Sequence, residues 1–252
     1  MTFDVAAEAY DSFMGRYSRL LSPQLVDLAG VDGSERVLDV GCGPGALTSE
    51  LVARLGAASV AAVDPSAAFV EAVRARHPGV EVRQAAAELL PFADREFDAA
   101  FAQLVVHFMA DPVAGLAEMA RVTKRDGVVA AAVWDHAGSG GPLSVFWTAA
   151  RELDPDVDDE SELAGVREGH LEELFRAAGL RAIERAVLTA RLEHPSFDEW
   201  WAPFTQGVGP AGAYTARLDP NRRTKLRELC RAALPDAPFT VTARAWAVRG
   251  LA

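Results

Sequence analysis

Two cysteines, two lysines and no apolar run of membrane length: these scarcities narrow what a 252-residue chain can be before any motif is read. A membrane-spanning helix needs roughly 20 consecutive apolar residues, and no stretch comes near that. The opening MTFDVAAEAYDSF carries acids where a secretory leader needs a basic and then an apolar start, so the expected location is cytoplasmic. Cys42 and Cys230 stand far apart, and the first lies inside a glycine loop, which suggests neither a disulfide framework nor a zinc site. His136, His170 and His194 show no metal-ligand spacing with cysteines or acids, so no metal is expected and their default places are surface or structural. Acids outnumber bases 36 to 25, a net charge of −11, and the basic residues form no cluster, which argues against a nucleic-acid partner. Arginine in place of lysine, with abundant alanine, reads as coding bias from a GC-rich genome.

What the chain does have is core: half of its residues are apolar, enough for one sizeable globular unit. Through the first half, short apolar runs alternate with helical patterns. Strands are expected at 36–41, 59–64, 80–85, 97–103 and 127–135, with helices at about 46–55, 66–76 and 112–123 that open near Thr, Ser, Asp or Pro. Repeated strand-helix-strand of this kind builds a parallel sheet covered on both faces, an α/β fold. Beyond Trp134 the pattern changes to a flexible HAGSGGPLS, a helix at 143–153, and an acidic stretch DPDVDDESELAG that reads as a solvated loop. An amphipathic helix EGHLEELFRAAGL, a strand at 181–192, an aromatic segment, a helix at about 219–233 and an alternating strand at 239–248 complete the order. A helix at about 5–19 lies outside the sheet, where it can close over the carboxyl edge.

The most informative stretch is VLDVGCGPGALT, where Gly41, Gly43 and Gly45 follow a buried-looking strand. Glycine is costly to order, so this cluster points to a tight turn and a close ligand. In an open parallel sheet, ligands sit beyond the carboxyl ends of the strands, and the next helix aims free N–H groups at them. Asp64 ends the second strand, 23 positions after Gly41, where a carboxylate accepts ribose hydroxyls. GCGPGA also satisfies a dinucleotide fingerprint, which makes a nicotinamide-dependent oxidoreductase the rival. Asp39 decides against it: a carboxylate there would face the phosphates, but suits a nucleoside carrying an ammonium group.

Four stretches, VLDVGCGPG, VAAVDPSAAFVEAVR, AAAELLPFADREFDAAFAQLVVHFMADP and EMARVTKRDGVVAAAVWD, stand in an order and spacing that resembles the class I S-adenosylmethionine-dependent methyltransferases. Within them the chain is similar to the ubiquinone/menaquinone-biosynthesis, or type 11, group. The resemblance implies a Rossmann-like, mostly parallel seven-stranded sheet of order 3-2-1-4-5-7-6 with the last strand antiparallel and helices on both faces. It implies that Asp39, Gly41, Cys42, Gly43 and Gly45 hold the methionine part of S-adenosylmethionine, Asp64 the ribose, and Pro65 and Phe69 the adenine. Gln103 should sit beside the methionine end. Family members often have Asp before AE in the third motif; here Ala86 and Ala87 precede Glu88, so adenine is expected to bind through backbone there, with one side-chain hydrogen bond fewer.

The expected organisation is a single domain: a helical lid at 1–30, a cofactor core at 31–136 and an insertion at 195–238 that shapes the pocket of a small-molecule acceptor. His107, after the fourth strand, is either a general base or a packing residue. Arg16 and Tyr17 either reach the cofactor's carboxylate and roof the site or lie on an exposed face. Tyr10 is a weaker case of the same kind. Trp134, Trp147, Trp200, Trp201, Phe204 and Tyr214 suit a flat acceptor, an ordinary packed lid or a homodimer contact. A non-catalytic module that binds S-adenosylmethionine is the second rival.

Overall fold

The computed structural model describes residues 7–252, with side chains from Tyr10 onward. A long helix α1 (Ala7–Ala29) leads into β1 (Val37–Val40), α2 (Ala46–Leu55), β2 (Val60–Asp64), α3 (Ala67–Arg76) and β3 (Glu81–Gln84). β4 (Phe97–Gln103), α4 (Pro112–Val122), β5 (Thr123–Trp134), α5 (Ser144–Leu153), α6 (His170–Ala177) and β6 (Arg181–His194) follow. Three helices, α7 (Phe197–Trp201), α8 (Gly209–Arg217) and α9 (Pro220–Ala233), precede the last strand, β7 (Phe239–Leu251). The seven strands form one sheet of order β3-β2-β1-β4-β5-β7-β6. β1 pairs in parallel with both β2 and β4, while β7 runs antiparallel to β5 and β6. Both the order and the reversed last strand agree with the expectation.

Every residue of β1 and β2 is buried, because helices cover both faces of the sheet. Alternate side chains feed two apolar layers. Val37, Ala99 and Phe101 pack with Leu21, Leu25 and Leu51, whereas Leu38, Ala100 and Ala102 pack with Leu116, Met119 and Phe175. Helix starts follow the capping signals in the sequence: Ser66 accepts from the Phe69 amide, and Asp111, ahead of Pro112, accepts from the Ala114 amide.

α1 extends ten residues beyond the expected end at 19 and lies over the sheet. Gln24 donates to the Thr189 carbonyl at 2.9 Å and accepts from the Thr189 amide at 3.1 Å, so the helix covers part of edge strand β6. Within the acidic stretch, Asp156 and Asp158 are exposed but Glu160 is only 4% exposed, which corrects the reading of that loop as solvated. Among the described residues no helix is long and apolar enough to cross a membrane.

Candidate functional site

The strand order reverses around β1, and the carboxyl ends of β1, β2 and β4 open into a cavity of about 270 Å³. Asp39, Gly41, Cys42, Gly43, Asp64, Pro65, Phe69, Ala86, Ala87 and Gln103 all line it; the glycine loop, Asp39 and Asp64 are expected there from the strand ends, the others from the family resemblance. The glycine loop is held tightly: the Gly41 and Cys42 amides both donate to the Val63 carbonyl, at 2.8 and 3.0 Å. Gly41 has φ +69°, and a Cβ there would lie 2.3 Å from Val105 Cγ2, so both conformation and space call for glycine. Gly45 does not line the cavity; it stands at the head of α2 in a left-handed conformation and turns the chain into the helix.

Two buried carboxylates face this space. Asp39 is 1% exposed and accepts from Thr48 Oγ1 at 2.6 Å. Burial pushes its carboxyl up to about 7; the Thr48 bond opposes the rise and the Asp64 carboxylate adds to it. Asp64 uses one oxygen to accept the Gly43 amide at 2.9 Å and the other to accept the Ser66 amide at 2.8 Å. Burial raises its carboxyl too, held back by those two bonds. Burial and both neighbouring acids keep the Cys42 thiol protonated, as suits a small packing residue. Glu88 also lines the cavity, and among the described residues no Lys or Arg does, so the space favours a cationic ligand.

α1 roofs the cavity with Tyr10 and Ser18. Tyr10 packs on Phe69 with ring centroids 5.6 Å apart. Gln103 Nε2 donates to the Ser18 carbonyl at 3.1 Å and to Ser22 Oγ at 3.0 Å, tying the end of β4 to the roof. Its Oε1 is buried with no partner among the described residues, an acceptor awaiting a donor.

Arg16 does not join this site. Its guanidinium pairs with Glu199, whose other oxygen lies 2.7 Å from His194 Nδ1, and His194 Nε2 lies 2.9 Å from the Tyr17 hydroxyl. Arg16 and Tyr17 therefore clamp α1 to β6 and α7. For Arg16 the reason is helical phase: at 3.6 residues per turn, it stands roughly 120° around the helix from Tyr10.

His107 lies on a 3₁₀ turn at 106–108 and lines a second, smaller chamber of about 30 Å³. Tyr10, Leu104 and Phe108 line both spaces, so the chamber adjoins the cavity. His136 and Glu160 also line it; the first was expected at the surface or in a structural place, the second in a solvated loop. Nothing in their local sequence separates them from their polar neighbours. His170 has the structural role expected of it, with Nδ1 accepting the Gly165 amide at 3.2 Å. Of the aromatic residues weighed for the acceptor, Trp134 lines the chamber. Trp147, Trp201, Phe204 and Tyr214 pack around Phe146, with Phe204 stacked on it at 4.6 Å, and Trp200 packs on Phe204 at 4.8 Å.

A family model described as a methyltransferase domain matches residues 38–131. Over 154 residues the chain is 35% identical to the demethylmenaquinone methyltransferase of Renibacterium salmoninarum, covering 58% of this chain and 62% of that one. It is 30% identical over 228 residues to an uncharacterised protein of Mycobacterium bovis, covering 86% and 81%. Among solved structures it is similar to a phosphoethanolamine N-methyltransferase of Haemonchus contortus in complex with phosphomonomethylethanolamine and S-adenosylhomocysteine. The TM-score is 0.61 at 16% identity, covering 97% of this chain and 57% of that one, a likeness of fold. The chain spans less than two thirds of three named methyltransferases that it matches in sequence, between 46% and 62% of their length.

Proposed function

The chain belongs to the class I S-adenosylmethionine-dependent methyltransferases, and on that premise we propose that it methylates a small-molecule acceptor bound under α1, beside the cofactor cavity. The observation that carries this reading is the set of unpaired or costly acceptors around the cavity. Asp39 is buried beside a second carboxylate, and Gln103 Oε1 is buried without a donor among the described residues. Both are satisfied by a ligand that brings an ammonium group, and both oppose the pyrophosphate of a nicotinamide dinucleotide.

In this reading Asp39 and Gln103 receive the ammonium of the methionine part. Each Asp64 oxygen keeps a lone pair free for a ribose hydroxyl after accepting its backbone amide. Pro65 and Phe69 flank the base, and the backbone of Ala86 and Ala87 stands where family members place an Asp. When bound, the cofactor supplies an electrophilic methyl group on a sulfonium whose leaving group is neutral. The protein then has to align the acceptor, exclude water and, for an acceptor that carries a proton, hold that proton. His107 is the candidate proton holder, because burial, with His136 adding, keeps its imidazole neutral and thus able to accept. α1 serves as the lid, residues 31–136 as the cofactor core, and 195–238 as the insertion that packs the far wall.

Parallel calorimetric titrations with S-adenosylmethionine, S-adenosylhomocysteine and NAD test the reading. Micromolar binding of the first two without NAD is expected. Binding of NAD alone would make the chain an oxidoreductase, and binding of none of them would remove the cofactor assignment.

A further inference from the structure

The small chamber beyond Leu104 and Phe108 has mostly apolar walls, with the Tyr10 phenol shared with the cavity. Phe13, Met14, Trp134, Leu143 and Val208 form walls, and His107, His136 and Glu160 form the polar end. These three come from separate segments, and each is sealed from bulk solvent: His107 is 6% and Glu160 4% exposed, and the His136 side chain 4%. Glu160 Oε2 accepts the indole N–H of Trp147 at 2.8 Å, while Oε1 lies 3.9 Å from His136 Nε2. The His136 and His107 rings meet edge-on at 6.0 Å, and His107 Nδ1 is buried with no partner among the described residues. Residues that serve packing alone would not need two imidazoles and a carboxyl around one void, with a ring nitrogen left unpaired.

The chamber's charge restricts what enters. No Lys or Arg lines it among the described residues. Burial pushes His136 down to about 4, against the pull of Asp135 and Asp159, and pushes His107 down as well, so both rings are neutral hydrogen-bond acceptors at physiological pH. Burial raises Glu160 to about 7, with the Trp147 bond opposing, which leaves it substantially ionised in a weakly basic buffer. A phosphate or carboxylate brought here would lose its hydration beside another carboxylate with no cation to pair with. A hydroxyl has an acceptor waiting for it.

We propose that this chamber is the polar subsite for the acceptor, in which His107 accepts a hydrogen bond from a hydroxyl and Glu160, fixed by Trp147, selects uncharged hydroxyl-bearing molecules over anionic ones. The proposal rests on the methyltransferase reading, because Tyr10, Leu104 and Phe108 line both the cofactor cavity and this chamber. His107 is then the residue that touches the acceptor, His136 supports its orientation, and Glu160 determines specificity.

The experiment uses two probes on one skeleton: benzyl alcohol and benzoate. The full chain, saturated with S-adenosylhomocysteine at weakly basic pH, carries isotope-labelled histidine; with five histidines, each imidazole is assignable by single His→Asn variants. Benzyl alcohol is expected to move the His107 and His136 signals and to leave His77 and His170 in place. Benzoate at equal concentration is expected to move neither. Glu160→Gln, which retains an acceptor for Trp147, is expected to tighten benzoate binding at least tenfold without changing the titration by S-adenosylhomocysteine. Benzoate binding the unaltered protein as well as the alcohol does, the alcohol leaving His107 unmoved, or no response to Glu160→Gln would each overturn the proposal. Failure of S-adenosylhomocysteine to bind would instead remove the reading on which it rests.

Discussion

Asp39→Asn sets the needs of the site against those of the fold. The carboxyl of Asp39, ordinarily near 3.8, is raised to about 7 chiefly by burial. At about 1.36 kcal/mol per pH unit, that gap sets a ceiling of about 4 kcal/mol on the cost of keeping the residue charged in the empty protein. Water entering from the cavity and relaxation around it take part of this, so we expect roughly 1–3 kcal/mol. Because the folded-state value lies above the unfolded one, the residue's favourable contribution is complete below the unfolded value. It declines as pH rises and is gone once pH passes the folded value. Asparagine cannot ionise. The stability of the variant minus that of the unaltered protein should therefore grow from about pH 4 to about pH 7 and then level off, as measured by urea unfolding without cofactor. The same variant loses the charge-assisted bond to the ammonium group, so its dissociation constant for S-adenosylmethionine should rise at least tenfold, or about 1.4 kcal/mol. A stability difference that is flat with pH, or a natively folded variant less stable than the original at pH 8, would refute the claim that Asp39 is held at a cost. Unchanged cofactor affinity would refute the reason for holding it.

Asp64→Ala should weaken cofactor binding at least tenfold by calorimetry, since losing two charge-assisted bonds costs more than about 1.4 kcal/mol. It should also speed amide exchange at Gly43 and Ser66, whose N–H groups Asp64 accepts; slow exchange there with intact affinity would contradict both roles. Arg16→Ala should leave the cofactor's dissociation constant within about twofold and cost under about 1 kcal/mol of stability, because Arg16 pairs at a partly exposed site with Glu199. A tenfold loss would return Arg16 to the cofactor. Gly41→Ala should cost roughly 1–2 kcal/mol for its left-handed backbone and about 1–3 more for contact with Val105. Adding Val105→Ala should recover the second part only, and urea midpoints for the single and double variants separate the two.

Which parts of the fold are legible follows from where their information lies. The strands at Val37–Val40, Val60–Asp64 and Phe97–Gln103 read as apolar runs because parallel strands buried on both faces need nothing else. The alternation in FTVTARAWAV identifies β7 as a strand but says nothing about its direction, which comes from the family resemblance. The expected end of α1 at about 19 falls short because Pro23 and a mixed apolar pattern follow. In the structure the helix continues through Pro23 while Gln24 bonds to β6, a partner more than 160 residues away that no local window contains.

The site divides along the same line. Asp39, the glycine loop and Asp64 are positioned by consecutive strand ends, so their spacing along the chain is already their arrangement in space. Composition alone offers Arg16, as a cation near an expected carboxylate, although its helical phase relative to Tyr10 is available from the sequence and points elsewhere. Glu160 is different in kind. It sits among acids that average to a solvated loop, and Asp156 and Asp158 are indeed exposed, so charge predicts the stretch correctly and its most informative member wrongly. The signal that identifies Glu160 exists only once Trp147 supplies an N–H and His136 turns inward beside it. A buried carboxyl breaks the rule of charge outside, and such departures concentrate where a protein binds or reacts. The residue hardest to read from the sequence is therefore the one that most restricts what the acceptor can be.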